Sequence, residues 1–301
     1  MTHKKSSRQP PVPQGYTTWL DYAVLAFSGR AAWNEFILDD DWSDTPTDVF
    51  YDLVQEEYCR LKERQPLRTL MLVRHGQSLA NAGGVTMEHH AIPLTELGRR
   101  QTELLAECLP AKPAMICSSP FLRARQSAEP YCVRTGLADQ VIDQLHEFDT
   151  IDPELFQGMT GGERRPIMDA YWAEGDPDKR MGPRAETFRE FAQRVECFRT
   201  GAMLSLPDGA VLFGHGMWIG MLTWQLMGFS AGDSLGMKAF RRFQQGLPMP
   251  NAAVYRFTEA APGRWTFAAE EAIMRAVSTV AVGSVKYSEL SDTNREEFRA
   301  E

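Results

Sequence analysis

Cysteine is scarce in this chain of 301 residues, and it is never paired in a motif. Cys59, Cys108, Cys117, Cys132 and Cys197 are odd in number and widely spaced, with no C-x-x-C among them. That argues against a disulfide framework and leaves reduced thiols packed as small hydrophobes, as suits a cytoplasmic protein. Positive charge is not in surplus either. A net charge of −8 and a pI near 5.4 argue against broad binding to nucleic acid or to an anionic membrane. The apolar stretch at 22–27 is too short to span a bilayer. The basic, proline-rich residues 1–15 have no signal-type apolar region behind them, and no internal repeat appears. His89 and His90 are adjacent, which is poor spacing for sharing one metal ion, and they read as rim or surface residues.

What is present is enough apolar content, 43%, for a substantial core. Residues 1–15 read as disordered. Residues 16–66, with Trp19, Tyr22, Trp33 and Phe36 and then an apolar stripe from Val49 to Leu61, read as a helical extension. It either packs on the rest of the chain or offers a dimer or partner surface. Residues 67–270 then alternate strands with helices. The strands are expected at 69–73, 114–117, 141–145, 210–213, 252–257 and 265–268. The helices are expected from 96 to about 109, from 121 to an end or break near Pro130, around 167–172, over 187–206 and over 218–229. Residues 271–301 form a polar tail, one more helix or partly disordered. Strands alternating with helices imply an α/β fold with a mainly parallel sheet covered on both faces.

The chain is organised around Leu72-Val73-Arg74-His75-Gly76-Gln77-Ser78-Leu79-Ala80-Asn81. A buried strand stops at an arginine, a histidine and a glycine. Ligands of open α/β sheets sit beyond the carboxyl ends of strands, where such a pair is useful. Gly76 permits a sharp turn and a close approach. Further along come Pro93-Leu94-Thr95-Glu96-Leu97-Gly98, Ser118-Ser119-Pro120-Phe121-Leu122-Arg123-Ala124, Leu145-His146-Glu147 and Phe213-Gly214-His215-Gly216. In that order the set resembles the RHG, PLTELG, SSP-x-x-RA, L-x-E and second-histidine motifs of the histidine phosphatase superfamily, the phosphoglycerate-mutase-like enzymes. The resemblance covers about residues 67–270 and implies the family's three-layer α/β/α sandwich.

A phosphomonoester is a dianion near neutral pH and needs fixed positive charge. Arg74 and Arg123 each offer a planar fork for phosphoryl oxygens, and Asn81 offers an amide donor. His215 stands between a strand and a helix start, where backbone N–H groups favour an anion. Neutral His75 is a competent nucleophile at phosphorus. The resemblance implies that His75 is the phosphorylated histidine and that Arg74, Arg123 and His215 complete the phosphate pocket. It implies that Asn81 contacts phosphate, with Gln77, Ser78 and Gly216 beside these groups, and that Glu147 is the general acid and base. A surface acidic loop with Asp149, Asp152 and Glu154 would look similar to the segment around Glu147. Neither a cofactor nor a metal is implied, because the guanidinium groups supply the charge.

The mutases of the superfamily carry a tyrosine-glycine stretch and a lysine after the acid, and an asparagine after the second histidine's glycine. Here Phe148-Asp149-Thr150-Ile151 follows the acid, no lysine comes before Lys179, and Met217 replaces the asparagine. Phe156-Gln157-Gly158-Met159-Thr160 and Ala185-Glu186-Thr187 resemble the W-E-G-L-T and G-E-S of the phosphatase branch. These features favour a phosphatase acting on a phosphorylated small molecule. The alternatives are a phosphoprotein phosphatase docking through residues 16–66, mutase-type transfer, and a non-catalytic binding module.

Overall fold

A computed structural model describes residues 68–280, apart from 262. The readings for residues 1–15 and 16–66 and for the tail beyond 280 lie outside the described residues. By their contacts the described residues fall into two units. Arg68 and Thr258–Thr266 belong to one. Within it Arg68 pairs with Glu259 at 2.8 Å and lies over the Trp265 ring. Thr69–Phe257 and the residues from Phe267 onward make the other, which carries the motif residues.

The elements follow in chain order: β1 (Thr69–Arg74), α1 (Glu96–Cys108), β2 (Met115–Ser118), α2 (Leu122–Thr135), β3 (Asp139–Val141), α3 (Gly161–Glu174), α4 (Phe188–Thr200), β4 (Ala210–Gly214), α5 (Gly216–Leu226), α6 (Ser234–Gly246), β5 (Val254–Ala261), β6 (Arg264–Ala269) and α7 (Glu271–Thr279). The fold is mixed α/β around a six-stranded sheet in the order β3-β2-β4-β1-β5-β6, with seven α-helices among the described residues. Pairing is parallel for β1 with β4, β4 with β2, and β2 with β3. Side chains alternate across a strand, so the apolar runs feed two cores. Met71, Val73, Ile116, Val211 and Phe213 pack with Leu105 of α1, Tyr131 of α2 and Ile273 of α7. The intervening Leu70, Leu72 and Leu212 are also buried, as are Phe191 and Val195 of α4 and Trp218 of α5. Among the described residues no helix is long and apolar enough to cross a membrane. The four described cysteines are free, and burial pushes the Cys108 and Cys117 thiols up to about 11.

Several boundaries differ from the sequence reading, each for a local reason. The helix expected to stop near Pro130 continues to Thr135, where Gly136 caps it in the left-handed conformation. Tyr131, just past the proline, is fully buried, and its hydroxyl donates to the Pro110 carbonyl. That packing outweighs the one backbone bond a proline removes. The strand expected at 141–145 runs instead over Asp139–Val141, and a 3-10 turn over Asp143–Leu145 follows it. That turn drops Leu145 into the core. The short helix expected at 167–172 is 14 residues long, because Thr160 and Glu163 form a capping box on either side of Gly161 and Gly162. The helix expected over 187–206 stops at Thr200 and gives way to a 3-10 turn over Ala202–Ser205. Helix α6, for which the sequence reading has no counterpart, is capped by Asp233 and buries only Met237 and Phe240.

Two glycines press α1 onto the loop after β1. A Cβ on Gly98 would stand 2.0 Å from the Gln77 carbonyl oxygen, and one on Gly76 would stand 2.6 Å from the Gly98 carbonyl oxygen. Both obstacles are backbone atoms, so no side-chain rotation relieves them. Gly98→Ala is therefore expected to lose about 1–3 kcal/mol of stability. Denaturant unfolding of the two proteins checks this, and an unchanged midpoint would refute the close packing.

Candidate functional site

The sheet register builds the site. Arg74 pairs with Gly214 across β1 and β4, and Ser118 pairs with Phe213 across β2 and β4. The three parallel strands thus end nearly level, and His75, Ser119 and His215 leave them side by side. Ladder bonds hold two of these exits: the His75 N–H donates to Gly214 at 3.0 Å and the Ser119 N–H to Phe213 at 2.9 Å. The His75 and His215 rings lie 5.2 Å apart, edge to face.

Both rings are almost wholly buried. His75 Nδ1 lies 2.7 Å from its own neighbour's carbonyl, Gly76 O, which can only accept. The proton therefore sits on Nδ1, and Nε2 keeps its lone pair. Arg123 Nε donates to that Nε2 at 3.2 Å. Burial, reinforced by Arg123 and Arg74, holds the His75 pKa well below its ordinary value. The same causes, burial first, depress His215. Its Nε2 is 2.8 Å from Ser119 Oγ, and its Nδ1 is buried without a partner.

The two arginines come from different elements, Arg74 from the end of β1 and Arg123 from α2. Arg123, in the first turn of α2, lies over the Phe121 ring and donates to the His89 carbonyl at 2.7 Å. Burial lowers its pKa to about 10, with Glu147 and Asp149 opposing, so it stays a cation at neutral pH. Arg125, two residues on, is 55% exposed and stands 3.9 Å from Asp139. Arg74 donates to the Met249 carbonyl, while its Nε is buried without a partner. Gly216 gives it room: a Cβ there would meet Met249 Cγ at 3.0 Å and Arg74 Cδ at 3.4 Å.

Glu147 takes up the N-terminus of α5. Its carboxylate accepts from the Met217 and Trp218 N–H groups, both at 3.1 Å, and from Phe148 at 3.0 Å. The helix-start donors that the sequence seemed to offer an anion beside His215 are thus engaged by Glu147. Unlike the side chains of a solvated acidic loop, the Glu147 carboxylate is held by three backbone donors. Asp149 pairs instead with His89 at 2.6 Å, and Asp152 with Arg184 at 3.0 Å.

Three predicted contact residues make their hydrogen bonds to groups other than the two histidines. Gln77 is tied back to α1, its Oε1 accepting from Thr95 Oγ1 at 2.8 Å and its N–H donating to Gln101. The Ser78 hydroxyl donates to Asn81 Oδ1, which also accepts from Asn251 at 2.8 Å. That leaves the exposed Asn81 with its Nδ2 donor free of protein partners. Sequence reading missed Met249, Ser119 and the His89 carbonyl. Two of these act through backbone oxygens, which no residue type announces. Among the described residues no three His, Cys, Asp or Glu side chains group as a metal site.

Two neutral buried histidines carry a stability cost at low pH. An unfolded chain takes up protons near pH 6.5 that the native rings refuse. Unfolding free energy is expected to fall below that pH by about 1.4 kcal/mol per unit for each ring. In His75→Asn the slope between pH 6.5 and 5 should be shallower by about that amount. An equal slope in both proteins would count against a neutral buried His75.

Comparison with known proteins supplies the lineage. The family model described as histidine phosphatase superfamily (branch 1) matches residues 70–270. A glucosyl-3-phosphoglycerate phosphatase of Mycobacterium tuberculosis is 31% identical over 171 residues, covering 53% of this chain and 75% of that one. A Cronobacter sakazakii protein named as a probable phosphoglycerate mutase is 31% identical over 164 residues, with the same two coverages. The solved structure of a mycobacterial glucosyl-3-phosphoglycerate phosphatase in complex with VO3 superposes with a TM-score of 0.54 at 26% identity, covering 67% of this chain and 98% of that one. Relatives named as phosphatases support phosphatase activity in this superfamily. The chain belongs to the histidine phosphatase superfamily, branch 1.

Proposed function

We propose that this protein is a metal-independent phosphomonoester hydrolase that works through a phosphohistidine on His75, with a phosphorylated small molecule as its substrate. The observation that carries the proposal is the set of polar atoms around one imidazole. His75 Nε2 keeps its lone pair, and two buried atoms nearby, Arg74 Nε and His215 Nδ1, have no partner in the protein. Buried polar atoms without partners are costly. A phosphoryl group satisfies both at once, provided that Ser119 donates its hydroxyl proton to His215 Nε2 and so leaves the ring proton on Nδ1. The Phe121 N–H already donates to Ser119 Oγ at 3.3 Å, which is compatible with that direction.

In the first step Nε2 attacks phosphorus, the bond from phosphorus to the leaving oxygen breaks, and Glu147 gives that oxygen a proton. Arg123 moves its Nε–H from the imidazole to a phosphoryl oxygen as the lone pair is used. In the second step Glu147 takes a proton from water, the water oxygen attacks phosphorus, and the P–N bond breaks to release inorganic phosphate. Arg74 and Arg123 carry the charge that a metal ion carries elsewhere. Mutase-type transfer is the second reading, favoured by the mutase-named relative. Met217 in the position of the mutases' asparagine argues for hydrolysis. Release of inorganic phosphate with no phosphorylated second product distinguishes the two.

His75→Ala is expected to abolish turnover while folding normally, a loss of about 4 kcal/mol or more of barrier lowering. Rapid quenching of the unsubstituted enzyme with phosphorylated substrate should trap acid-labile, alkali-stable phosphate on His75. Turnover by the alanine variant at the normal rate would exclude the mechanism.

Arg123→Ala should lose roughly 2–4 kcal/mol of transition-state stabilisation. Arg125→Ala, on an exposed position, should lose no more than about 0.5 kcal/mol. Arg123→Lys should recover only part of the loss, since a point charge cannot form the fork. Measured kcat/KM for the three variants on one phosphomonoester tests this. The reverse ranking of Arg123→Ala and Arg125→Ala would show that the phosphate pocket has been assigned to the wrong arginine.

A further inference from the structure

Glu186 belongs to a sequence motif that the chemistry above leaves unused. It is mostly buried, and it meets Arg194 of α4 in a two-pronged pair, Nε to Oε1 at 2.9 Å and Nη2 to Oε2 at 2.8 Å. The same guanidinium faces a run of backbone carbonyls. Nη1 donates to Gln144 at 2.9 Å and to His146 at 2.8 Å, and Nη2 reaches the Glu147 carbonyl at 3.4 Å. The Arg194 side chain also lies over the Phe191 ring, which removes much of its rotational freedom. Two more bonds brace the same segment. Trp218 Nε1 donates to the Gln144 carbonyl at 2.7 Å, and the Glu186 N–H donates to the Asp149 carbonyl at 2.7 Å.

All these bonds converge on residues 144–149, the stretch that carries Glu147. That stretch is not a strand, so no ladder holds it on both sides. Charge-assisted bonds from a planar, fixed fork are well suited to the task. We propose that Arg194, held by Glu186, is a positioning residue for Glu147. It fixes the backbone on both sides of the acid, so that the carboxylate seated on α5 points at the leaving oxygen. The inference rests on the reading of Glu147 as general acid. Neither Arg194 nor Glu186 touches the reacting atoms.

The test uses a readout that general damage cannot move. A variant that merely folds poorly loses activity on every substrate by the same factor. A displaced acid loses more on a poor leaving group than on one that needs no proton. The quantity to measure is therefore the ratio of kcat/KM for 4-nitrophenyl phosphate to that for an alkyl phosphate such as glycerol phosphate. Glu147→Gln should raise the ratio steeply. Arg194→Lys should raise it by about 10- to 100-fold, the scale of losing correct placement of a catalytic group. Glu186→Gln keeps the arginine but weakens its anchor, so it should move the ratio the same way by less. Adding Arg194→Lys to Glu147→Gln should change the ratio no further. If Glu147→Gln moves the ratio while Arg194→Lys and Glu186→Gln both leave it unchanged, the positioning role is overturned. So it is if the effects of Arg194→Lys and Glu147→Gln on the ratio multiply in the double variant. If Glu147→Gln itself leaves the ratio unchanged, the reading of Glu147 fails first, and the positioning role with it.

Discussion

The parallel register of β1, β4 and β2 is the constraint on which the site depends. Backbone hydrogen bonds fix Arg74 opposite Gly214 and Phe213 opposite Ser118. A slip of one residue in β1 would invert every side chain on that strand and move His75 away from His215. The slip is opposed by the cores on both faces. Val73 and Phe213 are fully buried on one side, and Leu72 and Leu212 nearly so on the other. Hydrophobic burial that has nothing to do with chemistry therefore holds His75 and His215 beside each other. The Gly76–Gly98 contact extends this control beyond the sheet, since backbone packed on backbone leaves the loop little freedom.

The same burial shapes the electrostatics. Two imidazoles and two guanidinium groups are crowded together largely out of water, with Arg74 the most exposed of the four, and positive charge is in excess among them. The histidines resolve the conflict by staying neutral, because their cationic forms would be desolvated beside Arg123 and Arg74. The arginines cannot do so in any useful degree and keep their charge. The arrangement is uneconomical as it stands, because Arg74 Nε and His215 Nδ1 are buried without a partner, and the proposed phosphoryl group would supply one to each. A site that is locally poor in stability is what binding and transition-state stabilisation demand of a fold that is well packed elsewhere.

How much of this was legible in the sequence follows from which forces were local. The buried runs before Arg74 and His215 marked strands because apolar content and position suffice for that. Thr95 marks a helix start and caps it, while Thr187, read as the first residue of a helix, is the cap one position ahead of it. Failures came where tertiary packing overrode a local rule. Pro130 did not end α2, because Tyr131 had a place in the core. The apolar residues Val141, Ile142 and Leu145 looked like a strand, yet β3 pairs on one side only and gives way to a 3-10 turn. Gly161, Gly162 and Pro166 concealed the first turns of α3, which a capping box secures. In the site, side chains with distinctive chemistry were visible and backbone acceptors were not. Hence Arg123 stands out through the SSP-x-x-RA pattern it shares with the family, while nothing in the sequence points to the Met249 and His89 carbonyls.

The arginines also show why the site spreads over so much of the chain. Arg74, Arg123 and Arg194 each direct guanidinium N–H groups at carbonyl oxygens, of Met249, His89 and the segment around Glu147 respectively. Each therefore couples a strand or α-helix to a carbonyl outside those elements: Met249 lies in a loop, His89 and Gln144 in short 3-10 turns. A carbonyl already in a helix or strand ladder has little capacity left, whereas loop carbonyls need donors when they are buried. A guanidinium can satisfy two or three of them from one side chain. In Arg74 and Arg123 some donors hold a carbonyl and others remain for the ligand of the proposed reaction. In Arg194 no donor is left over, because Glu186 takes one edge of the fork and the carbonyls take the rest. The division fits the roles proposed for them: the first two at the phosphoryl group, and the third bracing the segment that carries Glu147.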